Sequence, residues 1–253
     1  MKIDKPYIFI TGAPRSGTSM VTKIIDAHPQ TAIFMEQIFG LRRRHGEKPS
    51  FWNDNTALFA EVEATYAKLN APLVGNKVCT PDVWHLDEMM QMGAFFRSVK
   101  IIFIVRDPAD VLASRAKREA KDHFSDESRR YLCLDWRSQY HTWLSSWRQS
   151  IDIYWALKER FGEAVHLLYY DDFVQDVPAS METLFSFLEL DITDEVMNWH
   201  LQPSHDRFGN LVMDLKYKNE PITPKHSVQA LPEGIVKRLE ELAHYRLWQQ
   251  RRL

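Results

Sequence analysis

The run Tyr7-Ile8-Phe9-Ile10-Thr11-Gly12-Ala13-Pro14-Arg15-Ser16-Gly17-Thr18-Ser19 constrains the fold more than any other part of the chain. An apolar stretch of β type enters a turn bounded by two glycines, and the residues beyond take up the periodicity of an amphipathic helix. A strand that turns tightly into a helix gathers backbone N–H groups and the positive end of a helix dipole at one point, which is where an anion binds.

The spacing Gly12-x-x-x-x-Gly17 matches the loop that cradles nucleotide phosphates, but the Lys that should follow the second glycine is Thr18. A triphosphate site needs that Lys on the outer phosphates, with a hydroxyl and a carboxylate to hold Mg²⁺. A donor with one phosphate and one sulfuryl group carries less charge there, and the cation of this loop lies inside it, as Arg15.

The 253 residues, 45% of them hydrophobic, are enough to bury a sizeable core, and we expect one α/β domain over residues 1–253 with helical C-terminal additions. Lys and Arg (32) nearly balance Asp and Glu (34), so no global field favours nucleic acid or an anionic membrane. The first strand starts within a few residues of Met1, so no secretion signal is expected, and no apolar run approaches the roughly 20 residues of a membrane span. The expectation is a soluble, cytoplasmic protein of open oligomeric state. Cys79 and Cys133 lie in no metal-ligand spacing, and no metal site is expected.

Strands are predicted at 31–35, 72–78, 100–105 and 164–169, with helices at 17–27, 57–69 and 232–246. This alternation gives a mostly parallel sheet flanked by helices, whose ligands bind beyond the carboxyl ends of the strands. Arg15, Glu36, Lys77 and Arg106 each follow such an end. A long aromatic helix is expected over 128–161, its Trp136, Trp143, Trp147 and Trp155 forming core rather than a stacking surface. Residues 201–226 have little periodicity and read as a loop packed over a site.

A second anion site is expected where Lys100-Ile101-Ile102-Phe103-Ile104-Val105 ends in Arg106, followed by Asp107-Pro108 as a helix start. Ser114 falls eight residues after Arg106, so a guanidinium at the strand exit and a hydroxyl on the helix are placed to grip one phosphate.

Together, Gly12-Ala13-Pro14-Arg15-Ser16-Gly17-Thr18-Ser19 and Arg106-Asp107-Pro108 with Ser114 resemble the sulfotransferases that use 3′-phosphoadenosine 5′-phosphosulfate, most closely in pattern the tyrosylprotein and bacterial members. Leu168-Tyr169-Tyr170-Asp171-Asp172-Phe173-Val174, then Pro178 and Phe187-Leu188, are similar to a strand-helix element of bacterial members. The resemblance covers about residues 7 to 190.

It implies a P-loop-type fold and transfer of a sulfuryl group to a hydroxyl or amine by in-line displacement, without metal, leaving adenosine 3′,5′-bisphosphate. Arg15, Ser16, Gly17, Thr18 and Ser19 would hold the 5′-phosphosulfate, and Arg106 and Ser114 the 3′-phosphate. Asn76-Lys77 is similar to the Asn-Lys of tyrosylprotein sulfotransferases and makes Lys77 the cation for the leaving phosphate, although Val78-Cys79-Thr80 precede the Pro81 that the family places sooner. Asp26-Ala27-His28-Pro29 followed by Glu36 is similar to members whose glutamate is the general base. His85 or His205 would serve if Glu36 is structural, and His28 reads as a structural helix-end residue. Arg42, Arg43 and Arg44 form a solvated loop or draw an anionic acceptor. Lys225 is expected over the donor, without the glycine-rich basic motif of cytosolic members. The acceptor, a small molecule, sugar or peptide, is not fixed by sequence. Two other readings compete: a small-molecule kinase using Mg-ATP, and a binding module that has lost its chemistry.

Overall fold

The computed structural model describes residues 2–35, 55–80, 93–125, 139–203, 231 and 233–253, with the side chains of 55, 58 and 117–125 excepted. The expected positions Glu36, Arg42, Arg43, Arg44, His85, Cys133, Trp136, His205 and Lys225 lie outside these residues, as does the start of the long aromatic helix.

Among the described residues five strands form one sheet, all its pairings parallel, in the order β2-β3-β1-β4-β5. They are β1 (Ile3–Gly12), β2 (Thr31–Met35), β3 (Leu73–Lys77), β4 (Phe96–Val105) and β5 (Val165–Tyr169). The fold is the expected α/β class. The Ile, Val and Phe runs of β1 and β4 carry no polar alternation at their C-terminal halves because helices cover both faces.

On one face, Ile8, Ile10, Ile102 and Ile104 pack against α1 (Thr18–Asp26), α5 (Tyr170–Gln175) and α6 (Val177–Leu188). On the other, Tyr7, Phe9, Ile101 and Phe103 meet α2 (Asn55–Tyr66) and α4 (Tyr140–Phe161). Ile8, Ile10, Ile102 and Ile104 are fully buried, each contributing about 1.5–3 kcal/mol by leaving water. The helix after β4, α3 (Pro108–Ser125), packs against α4 and against α8 (Glu233–Glu241), which comes after the short α7 (Asp194–Met197) in chain order.

β4 begins four residues earlier than predicted, at Phe96. Arg97 and Ser98 are exposed and hide the strand in sequence, but Phe96 is buried and stacks on Tyr7 with ring centroids 4.2 Å apart. The final helix is also corrected. It is two helices, α8 and α9 (Ala243–Gln249), separated by Leu242 in an extended conformation at φ −76°, ψ 125°. The break redirects the apolar side: Leu239 and Leu242 pack with Leu112 and Trp143, whereas Trp248 packs with Val105 and Trp147. Among the aromatic helix's tryptophans, Trp143 and Trp147 are core, as expected.

Chain direction places the site. β1 lies between β3 and β4, so the chain leaves it toward one edge of the sheet through α1 and later returns to build the other edge. The ends of β1, β3 and β4 therefore meet where the strand order reverses, which is where open parallel sheets bind ligands.

Candidate active site

The turn between β1 and α1 is built by its glycines. Gly12 lies so close to β4 that a Cβ would come 2.2 Å from the Ile104 carbonyl oxygen. Gly17 caps α1 in the left-handed region at φ 94°, and a Cβ there would meet the Tyr170 ring at 2.3 Å. Between them the Ser16 N–H donates to the Ala13 carbonyl, and Arg15 takes a left-handed backbone at φ 77°, rare for a residue with a side chain. No side chain caps the N-terminus of α1 and its first turn holds no carboxylate. The helix end is thus left for an anion.

Two further features suit a polar ligand in this turn. The Ser16 hydroxyl is buried, with no hydrogen-bond partner among the described residues. Thr18, where a triphosphate loop would have Lys, is buried with its hydroxyl 3.6 Å from the Cys79 sulfur.

Lys77 closes β3 in register with Ile10 and Met35, and so projects to the α1 face of the sheet, where it is 4% exposed. Beyond it the chain runs on beside β1: the Val78 N–H donates to the Ile10 carbonyl and the Thr80 N–H to that of Gly12. The three residues between Lys77 and Pro81 therefore continue the strand pairing up to the phosphate turn. The Ser150 hydroxyl of α4 donates to the Thr80 carbonyl at 3.3 Å.

The second motif is assembled against the first. Asp107 caps α3, its Oδ1 accepting from the Ala109 N–H at 2.8 Å, as the sequence suggested. Arg106 lies beside the phosphate turn, and its Nη1 donates to the Arg15 carbonyl at 3.3 Å. Ser114 accepts from Arg15 Nε at 3.1 Å. The structure thus brings Arg15, Arg106 and Ser114 together, and Ser114 here meets the first motif's guanidinium.

Several neighbours carried no sequence signal as site residues. Tyr170 stacks on Arg106 with its ring centroid 4.7 Å from Cζ while filling the space above Gly17. Trp147 Nε1 donates to the Arg106 carbonyl at 3.1 Å, giving the aromatic helix a role at the site. Asp171 Oδ2 accepts from the Asp107 N–H at 2.9 Å. Burial holds the Asp171 carboxyl above its ordinary range, against the opposing pull of that N–H and of Arg106. Burial raises Asp107 likewise, with its own contact to the Ala109 N–H opposing and the Asp171 charge adding to the rise. Asp110, in the first turn of α3, lies 3.1 Å from Arg106 Nη2, and the short sequence distance between the two was the legible clue.

His28 is structural in its contacts: it is buried at the end of α1, its Nδ1 accepts from the Gln30 N–H at 3.1 Å, and its ring lies near Phe185. Among the described residues no cluster of His, Cys, Asp or Glu is placed to hold a metal, and no helix is long and apolar enough to cross a membrane.

A glycine turn without the triphosphate Lys, with Arg15 and Arg106 meeting at the end of one parallel sheet, agrees with the match of residues 6–194 to the profile of the sulfotransferase family. The chain belongs to the sulfotransferase family. Among sulfotransferases of known sequence it is 24% identical over 208 residues to "Protein-tyrosine sulfotransferase A" of Caenorhabditis elegans, covering 76% of this chain and 52% of that protein. It is 23% identical over 250 residues to "Protein-tyrosine sulfotransferase 1" of Danio rerio, covering 92% of this chain and 67% of that one. The chain thus spans between about half and two thirds of the length of these relatives. Solved sulfotransferases share the fold at low identity. The enzyme from Alicyclobacillus acidocaldarius superposes with a TM-score of 0.58 at 16% identity, covering 99% of this chain and 95% of that one. Mouse sulfotransferase SULT7A1, complexed with PAP, gives 0.54 at 12%, covering 99% and 89%.

Proposed function

We propose that this sulfotransferase transfers a sulfuryl group from 3′-phosphoadenosine 5′-phosphosulfate to a hydroxyl or amine acceptor. The observation that carries the reading is the contact of Arg106 with the Arg15 carbonyl, which puts a second cation, itself buried, beside a glycine turn that lacks the triphosphate Lys. A donor with phosphate groups at both ends of its ribose matches that pair of cations.

The residues fit such a donor. The open N-terminus of α1 and the unpartnered Ser16 hydroxyl suit the 5′-phosphosulfate, with Arg15, Gly17, Thr18 and Ser19 around it, and Arg106 and Ser114 suit the 3′-phosphate. When bound, the donor supplies an activated sulfuryl group on a phosphate leaving group. Lys77 and Arg15 offer positive charge where the departing phosphate gains negative charge, and the burial of Lys77 strengthens its part of the attraction. Glu36, just beyond β2, takes the acceptor's proton in this reading, and Glu36→Gln should abolish most turnover with donor affinity unchanged. Lys225 is kept as a further donor contact, to be tested by Lys225→Ala. The curated relatives are named for protein tyrosine, so a tyrosyl peptide is the first acceptor to screen, ahead of sugars and small phenols.

Calorimetry with adenosine 3′,5′-bisphosphate in EDTA, beside Mg-ATP and adenosine 5′-monophosphate, tests the donor reading. Metal-independent binding that requires the 3′-phosphate supports it. Preference for Mg-ATP would put the small-molecule kinase in its place.

A further inference from the structure

Contacts among the described residues hold the Arg106 guanidinium on three sides. Its Nη2 donates to Oδ2 of Asp110, in the first turn of α3, at 3.1 Å; its Nη1 donates to the Arg15 carbonyl at 3.3 Å; and its Cζ lies over the Tyr170 ring, 4.7 Å from the centroid. Arg106 is 9% and Asp110 8% exposed. An ion pair at the surface would leave a long side chain free to turn and would hold it weakly. Buried, a charge-assisted contact to a planar guanidinium sets the plane as well as the position.

We infer that Asp110 is a positioning residue, which acts by holding Arg106 in the pose that receives the donor's 3′-phosphate. The inference rests on the proposed reading of Arg106 as the 3′-phosphate contact. Asp110 exerts two opposed effects, since its negative charge repels a phosphate while its contact orders the cation that attracts one. Orientation wins here for a geometric reason. Without Asp110 the Nη2 of Arg106 loses a carboxylate partner, and more of the entropy of ordering the side chain is then charged against ligand binding. The Tyr170 ring and the Arg15 carbonyl restrain the guanidinium from other directions and cannot replace a carboxylate at Nη2.

The test compares calorimetric affinities for adenosine 3′,5′-bisphosphate and adenosine 5′-monophosphate, which lacks the 3′-phosphate. Asp110→Ala should weaken the bisphosphate about tenfold, the lower end of what loss of an orienting partner costs at other charged sites, and leave the monophosphate within about twofold. Asp110→Asn, which keeps an acceptor oxygen in place, should restore most of the affinity. In an Arg106→Ala background Asp110→Ala should have no further effect, and that double variant leaves no lone buried charge. Asp110→Ser, polar but too short to reach Nη2, should repeat the result if the alanine variant fails to fold. Bisphosphate binding as tight as or tighter than wild type in Asp110→Ala, or an equal loss for both nucleotides, overturns the positioning role. If wild type does not distinguish the two nucleotides and Arg106→Ala changes neither, the reading of Arg106 itself fails, and this shows before any Asp110 variant is made.

Discussion

Arg106 and Arg15, ninety-one positions apart, are joined by a hydrogen bond from one guanidinium to the other residue's carbonyl oxygen, 3.3 Å long. The contact braces a left-handed residue in the phosphate turn with a cation from the next strand. In the proposed mechanism Arg106 meets a phosphate remote from the transferred group, so its loss should act on binding. Arg106→Ala should raise the donor KM about 10- to 100-fold, the worth of one or two charged hydrogen bonds, with kcat at saturating donor changed far less. Steady-state kinetics over a wide donor range check this. A large fall in kcat with little change in KM would show that the brace on Arg15 matters more than the phosphate contact.

Lys77 should show the opposite pattern. It is buried on the α1 face, and the proposed reading gives it charge that develops only as the sulfuryl group leaves. Lys77→Ala should lower kcat about 100- to 1,000-fold, the range for removing one preorganised donor, with donor affinity largely kept. If binding weakens and kcat is untouched, Lys77 is a ground-state contact only.

The phosphate turn and the Arg106 motif were legible because backbone geometry forces their residue types: glycines at close approaches, a buried strand ending in a cation, Asp-Pro at a helix start. What surrounds them was not. Tyr170 reaches Gly17 and Arg106 only because β5 lies beside β4, a pairing that no local spacing encodes. Phe96 was missed as strand for a related reason: its partner is Tyr7, on another strand, and the residues that follow it, Arg97 and Ser98, are polar. The break at Leu242 was hidden because both halves of the terminal helix keep helical periodicity and differ only in which cluster they face.

Gly17 and Tyr170 give a test of how the turn is held. Gly17→Ala faces two costs, a backbone at φ 94° and a ring where its Cβ must go. The conformational part is about 1–3 kcal/mol, and the overlap with Tyr170 adds to it. Tyr170→Ala removes the overlap and leaves the conformational cost. The double variant should therefore recover part of the stability lost by Gly17→Ala, measured by denaturant unfolding. Recovery to the level of Tyr170→Ala alone would mean that the ring is the whole obstacle, and no recovery would mean that the backbone is.

His28 should make stability fall on mild acidification. Burial lowers its pKa below the ordinary 6.5, outweighing the contact to the Asp191 backbone and the charges of Glu195 and Asp191, which favour the imidazolium. A base whose folded pKa is depressed takes up its proton more readily in the unfolded chain, so its contribution is fully present above about pH 6.5 and is lost as pH falls from there toward the folded value. Protonation also removes the Nδ1 lone pair that accepts from the Gln30 N–H, at the point where α1 hands over to β2. Thermal unfolding between pH 8 and pH 5 should therefore show a steeper loss of Tm in wild type than in His28→Gln, with the difference opening below about pH 6.5. Parallel curves for the two proteins would mean that His28 titrates alike in both states, and that the acid sensitivity of the fold lies elsewhere.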